Sequence, residues 1–164
     1  MANINIVDSL NPVIQIVYTS TSSLVDCSTA MPFDDTIPQN TEGDEVLTLA
    51  ITPSRATNIL HILFHGFALQ SALAMTTQFA LFQDATADAL ASSASCYSGS
   101  NNADPGGDEI ILSHYMAAGT TSSTTFKIRV GPSANNSYVN GDDGGNRLYG
   151  GVANTILTIT EFFV

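Results

Sequence analysis

Thr124-Thr125-Phe126-Lys127-Ile128-Arg129-Val130 alternates without a break. Successive side chains of an extended chain point to opposite sides, so Phe126, Ile128 and Val130 share one face and Thr125, Lys127 and Arg129 the other. The pattern is that of a strand with one side in a core and one side toward water. Glu45 to Thr52 repeats it, with Leu47, Leu49 and Ile51 opposite Val46, Thr48, Ala50 and Thr52, and Pro53 ends the run.

Outward from these two runs, strands are predicted at Val13 to Ser20, Ile59 to Ala68, Thr76 to Gln83, Glu109 to Ala117 and Thr155 to Phe163, with a short one at Leu148-Tyr149. Gly, Ser, Asn, Asp and Pro punctuate the intervals. Ile59 to Ala68 and Thr76 to Gln83 are apolar on both sides, as in central strands or strands that also meet a second subunit. The one helical candidate, Ala85 to Ala94, is weakened by Thr and by the Ser residues after it, and reads as a loop. Ser98 to Asp108 and Gly131 to Gly145 are long polar loops, the usual place for recognition on a rigid sheet. The expected fold is all-β, a single-domain antiparallel β-sandwich of about eight strands, the number of a jelly roll. Residues 1-12 are expected to form an N-terminal arm and 13-164 the jelly-roll domain.

Composition narrows the possible partners. With 4 Lys and Arg against 15 Asp and Glu, the chain carries a formal charge of -11, which repels a phosphate backbone and anionic lipid alike. The expectation is no nucleic acid and no membrane, since no apolar run approaches the roughly 20 residues a spanning helix needs. The start of the sequence has neither the basic flank nor the apolar core of a secretory signal, so folding in the cytoplasm is expected. Cys27 and Cys96 are then two unpaired, buried or semi-buried thiols.

A longer and less regular pattern lies in Pro32-Phe33-Asp34-Asp35-Thr36-Ile37-Pro38-Gln39-Asn40-Thr41-Glu42-Gly43-Asp44-Glu45, followed by Leu49-Ala50-Ile51-Thr52-Pro53. Together with Ala80-Leu81-Phe82-Gln83-Asp84, His114-Tyr115-Met116-Ala117-Ala118-Gly119-Thr120-Thr121, Phe126-Lys127-Ile128-Arg129 and Leu148-Tyr149-Gly150-Gly151, it resembles the trimeric jelly-roll module of bacteriophage particles. That module is found at tail-fibre tips and in capsid decoration proteins. The resemblance reaches from about Val13 to the last residue and implies a homotrimer on the virion surface, assembled in the host cytoplasm, without catalysis. Fibre proteins of this kind carry the module behind a shaft, whereas about a dozen residues precede the first strand here. The expectation is therefore a decoration, or cement, protein that bridges subunits of the major capsid protein. Ile4, Ile6, Val7 and Leu10 would then be the partner-binding residues of an arm that adds to the capsid as a strand. The alternative is a tail-fibre tip that recognises a host glycan or protein through loop residues such as Tyr138, Asp142 and Asp143.

No constellation in the sequence argues for an enzyme, a metal or a cofactor, and none is expected. His61 and His65 fall on one face with Leu63 between them, and His114 lies on another strand, so three imidazoles converging on zinc or nickel have to be weighed. Strand histidines are more often hydrogen-bonded core or interface residues. The turns around Asp104 to Glu109 and Gly141 to Asn146 carry oxygen ligands near glycines, but Asp and Gly are also the ordinary residues of turns. Asp34, Asp35, Glu42, Asp44 and Glu45 form an acidic patch that suits either basic capsid residues or solubility. Ser113 and His114 are neighbours in one strand, so they point apart and cannot act as a nucleophile and its base. A glycosidase needs two carboxylates about 5 to 10 Å apart, and nothing in the sequence selects a pair.

Overall fold

The computed structural model describes residues 12–71, 75–96 and 106–164. Among the described residues there are ten strands: β1 (Val13–Thr21), β2 (Val25–Cys27), β3 (Asp44–Ile51), β4 (Ile59–Gln70), β5 (Thr76–Gln83), β6 (Ala91–Cys96), β7 (Gly107–Ala117), β8 (Thr124–Pro132), β9 (Ser137–Val139) and β10 (Thr155–Phe162). They form two antiparallel sheets, and with the two short strands β2 and β9 set aside the pairing is nested. The first long strand pairs with the last, β1 with β10, then β3 with β8, β4 with β7 and β5 with β6. A ribbon folded back on itself in this way and rolled into two layers is a jelly roll.

One sheet runs β1-β10-β4-β7 and the other β3-β8-β5-β6. The 12-residue β4 is long enough to share one edge between two partners. It pairs with β10 from Ile59 to His65 and with β9 from Ala68 to Gln70, while β7 follows its other edge from Ile59 to Leu69. The small β2-β9 ribbon is thereby attached to one end of the first sheet.

The core is the set of inward positions that the alternation predicts. Phe126, Ile128 and Val130 are fully buried, and Thr125, Lys127 and Arg129 lie outward on β8. Leu47 and Ile51 point in from β3, and a bulge between Glu45 and Leu47 turns Val46 toward the same core. Phe64 and Phe79 meet between the sheets with ring centroids 5.8 Å apart. Each such side chain contributes about 1.5–3 kcal/mol of transfer free energy, which makes this layer the main source of stability.

Two sequence expectations are corrected. Leu148-Tyr149 is no strand but part of a tight turn, Leu148–Gly151, because Tyr149, Gly150 and Gly151 all take positive φ (49°, 66° and 90°). The eighth long strand is instead β6, in the second half of the segment read as a loop. Ala-Ser-Ser-Ala-Ser-Cys has no large apolar residue to show a pattern, and its pairing with β5 makes it a strand. The doubly apolar run Thr76 to Gln83 is a central strand, β5 between β8 and β6, and its outer side is covered by the chain itself. The connection between β2 and β3 lays Met31 over Ala80 and Phe82, with Ala89 beside them, in a second small cluster.

That connection also absorbs most of the acidic patch. Asp44 accepts from the backbone N–H groups of Ser28 (2.7 Å) and Thr29 (2.9 Å) and from Thr29 Oγ1 (2.7 Å), while Glu42 accepts from Gln39 N–H (2.8 Å). Asp34 accepts from Thr36 N–H at 2.8 Å, and Glu45 pairs with Lys127 at 3.0 Å. Four of the five carboxylates hold turns or a cross-strand pair, and Asp35 alone among them shows no such bond.

Candidate functional site

The outer side of the β1-β10-β4-β7 sheet is apolar and almost uncharged. Register sets its side chains in rows across the strands: Ile16, Thr160, His61 and Tyr115 in one, then Tyr18, Thr158, Leu63 and Ser113, then Ser20, Ile156, His65 and Ile111. Ile14 continues the surface at one end and Phe67 at the other. Ile16, Tyr18, Ile111 and Tyr115 are 59%, 72%, 64% and 61% exposed, values at which a large apolar side chain gains nothing from the fold. Half of the exposed large apolar side chains among the described residues belong to this face.

Both of its histidines have polar partners. His61 and Tyr115 stack, with ring centroids 4.0 Å apart, and His61 Nε2 lies 2.9 Å from Ser113 Oγ. Burial among these neighbours pushes the His61 imidazole below its usual range. His65 pairs with Glu109 at 3.2 Å at the end of the face. The sequence places His61 and His65 on one face, and the structure agrees. His114 points to the other side of β7, with Ile110 and Leu112, so the three imidazoles do not converge. Ser113 does reach a histidine, on the neighbouring strand. No carboxylate touches that histidine among the described residues, and the pair lies on an open sheet face.

Two more places bear on the alternatives. On the ribbon, Tyr138 pairs with Asp26 across β9 and β2, and burial together with the charges of Asp26 and Asp143 raises its phenol above the usual value. Asp142 is occupied by its own turn, accepting from Asn146 N–H at 2.9 Å. Tyr138 and Asp143 thus lie within electrostatic reach, while Asp142 acts within its loop. The arm residues Ile4, Ile6, Val7 and Leu10 lie outside the described residues, as does most of the Ser98 to Asp108 loop. Cys27 is buried and Cys96 exposed, both unpaired, and burial with the nearby Asp44 and Asp26 pushes the Cys27 thiol up to about 12.

Sequence reasoning missed a groove of 640 Å³ at the end of the apolar face. It is lined by Phe67, Ile156 and the His65–Glu109 pair from the sheet and by Tyr149, Val152 and Asn154 from the turn before β10. Tyr149 and Val152 are 73% and 81% exposed.

No family model and no curated protein sequence matches this chain. Among solved structures, Eiger TNF from S. frugiperda superimposes with a TM-score of 0.51 at 14% identity, over 93% of this chain and 94% of that one. That likeness shows the shared sandwich fold. VP2 of the infectious bursal disease virus subviral particle matches with a TM-score of 0.42 at 11% identity, and latent PorU from Porphyromonas gingivalis with 0.44 at 9%. This chain spans 41% of the VP2 chain and 13% of PorU.

Proposed function

We propose that this chain is a non-enzymatic structural protein of a bacteriophage particle, a homotrimeric jelly roll that decorates the capsid and bridges neighbouring subunits of the major capsid protein. The observation that carries self-association is the bare face of the β1-β10-β4-β7 sheet. A body of charge -11 repels its own copies wherever carboxylates meet. The rows running through His61, Leu63 and His65 hold no carboxylate, and Glu109 stands in the next row, opposite Phe67 and 3.2 Å from His65, so two copies can meet over those three rows with little like-charge repulsion. Covering Ile16, Tyr18, Leu63, Ile111 and Tyr115 removes apolar area from water at about 25 cal/mol per Å². A second copy supplies the same neutral, aliphatic and aromatic chemistry, and a closed ring of identical contacts suits a threefold position of a capsid lattice.

The placement on a capsid rests on the sequence motifs from Pro32 to Glu45 and from His114 to Thr121, which resemble the decoration module. Bridging adjacent subunits stabilises the assembled shell by mass action, because the trimer binds the joined state and not the separated one. The test is immunogold electron microscopy of intact virions with antibody against the recombinant chain. Gold spread over heads is the expected result. Gold confined to the tail end overturns decoration and favours a receptor-binding tip, for which Tyr138 and Asp143 are the first residues to replace.

A further inference from the structure

We propose that the groove beside the Arg147–Asn154 turn binds an uncharged sugar ring, with Tyr149 as its stacking platform. The groove lies at the end of the self-association face and shares His65, Ile156 and Phe67 with it, whereas Tyr149 stands on the turn outside the rows of that face.

Tyr149 holds a backbone conformation, φ 49° and ψ 34°, that is unfavourable for any residue with a side chain. Glycine would adopt it without cost, and the next two residues are glycines in the same region of φ. The side chain gives the fold nothing in return, since the ring is 73% exposed. A strained backbone bearing an unburied aromatic is a feature kept for something outside the fold.

The turn is also fixed before anything binds. Arg147 folds back over it, its guanidinium donating to Gly150 O at 3.1 Å and lying where a Cβ on residue 151 would be. Leu148 N–H donates to Asn140 O at 3.0 Å, and Val152 N–H closes the turn on Tyr149 O at 3.2 Å. A ring presented by an ordered turn loses little entropy when it is covered.

The same groove offers the polar half of a sugar site. Glu109, whose side chain is 70% exposed, has carboxylate oxygens free to accept from paired hydroxyls beyond its contact with His65. Asn154 adds an amide that donates and accepts, and Phe67 and Ile156 supply an apolar lining. A pyranose has the complementary surface, with one C–H face for an aromatic ring and hydroxyls around its edge. The volume, 640 Å³, lies within the range of small-ligand sites. Asp108 and Glu109 line the groove and the whole chain is acidic, which sets the class: neutral sugars enter, whereas uronic and sialic acids are repelled.

The experiment is saturation-transfer NMR on the full chain with methyl glycosides of glucose, galactose, mannose and N-acetylglucosamine, and with glucuronic and N-acetylneuraminic acids as acidic probes. Sedimentation is run on the same samples. At least one neutral glycoside is expected to bind with a millimolar Kd. Tyr149→Gly, which keeps the backbone, is expected to weaken it by about tenfold or more, a loss of roughly one aromatic stacking contact. Tyr149→Phe keeps the stacking face and should bind as the parent does. The proposal is overturned if no neutral glycoside binds, if Tyr149→Gly binds as well as the parent, or if the acidic sugars bind equally. A change of oligomeric mass in Tyr149→Gly also overturns it, since the groove would then be a subunit contact. Failure of self-association with sugar binding intact would count against the proposed function and leave this site standing.

Discussion

His61 on β4 and Tyr115 on β7 stack face to face, their planes within 2° and their centroids 4.0 Å apart. Ser113 Oγ at 2.9 Å holds the imidazole in that plane, and burial favours its neutral form. A histidine lowered in this way contributes stability above its unperturbed value of about 6.5, and that stability is lost as pH falls through the lowered value. The face around His61 carries Ser113, Tyr115 and Thr160, with His65 two rows away and Glu109 three, and so among the described residues provides no carboxylate in contact with a protonated His61. Self-association measured by sedimentation is expected to weaken below pH 6.5. His61→Gln should flatten that dependence, and an unchanged profile in the variant would assign the titration to another group.

Leu63 lies at the centre of the same face, next to Thr158 and Ser113 in its row. Leu63→Asp puts a charge into a surface that has to become dry when copies meet, and a buried unpaired carboxylate is strongly unfavourable. The variant is expected to sediment as a monomer. Its thermal unfolding as a monomer should stay within about 0.5 kcal/mol of the parent monomer, because the position is outward on its sheet. A Leu63→Asp variant of parental mass would remove this face from the interface.

Glu161 is fully buried, yet no cation pairs with it among the described residues. It accepts from Gln15 Nε2 (2.6 Å), Asn58 Nδ2 (2.6 Å), Ser54 N–H (2.9 Å) and Ser54 Oγ (2.8 Å), which joins β1, the β3–β4 connection and β10. Desolvation pushes the carboxyl up, and these donors outweigh it and hold it at about 2, against 4.5 in the unfolded chain. Its stabilisation is complete above pH 4.5 and fades as pH falls through about 2. Glu161→Gln, which offers an N–H₂ group where donors already point, should cost about 2 kcal/mol at neutral pH by chemical denaturation. The loss should shrink as the solution is acidified.

Tyr149→Gly relieves the left-handed backbone at that position and should stabilise the domain by about 1 kcal/mol in thermal or urea unfolding. A destabilised variant would mean that the ring packs more tightly than its exposure shows.

Met31 and Gly131 test the cover on the second sheet. A Cβ on residue 131 would stand 2.7 Å from Thr29 O, 2.8 Å from Met31 Cβ and 2.9 Å from Gly43 Cα, so the connection could not lie where it does. Gly131→Ala is expected to cost about 2 kcal/mol through overpacking and Met31→Ala about 2–4 kcal/mol through the cavity it leaves, both read by urea unfolding.

β8 and β3 were legible because a period of two is local: Phe126, Ile128 and Val130 share a face whatever lies beyond it. The same argument put His61 and His65 together. It could not find β6, whose small residues show no pattern, nor the turn at Tyr149, where Leu-Tyr before two glycines looks like a strand end. The value of Glu161 was equally hidden, since its four donors come from residues 15, 54 and 58 and meet it only through pairing across the sheet.

By itself the sequence determined an all-β sandwich, its main strands and, for β3 and β8, the side that faces inward, because alternation is written residue by residue. It showed β4 and β5 as two runs apolar on both sides and nothing to tell them apart. The tertiary structure decided that difference. Met31 arrives from the β2–β3 connection and covers Ala80 and Phe82 on β5, while no segment among the described residues covers Leu63 on β4. Burial depends on what the fold brings opposite a side chain, and for these two strands that partner lies far away in the chain.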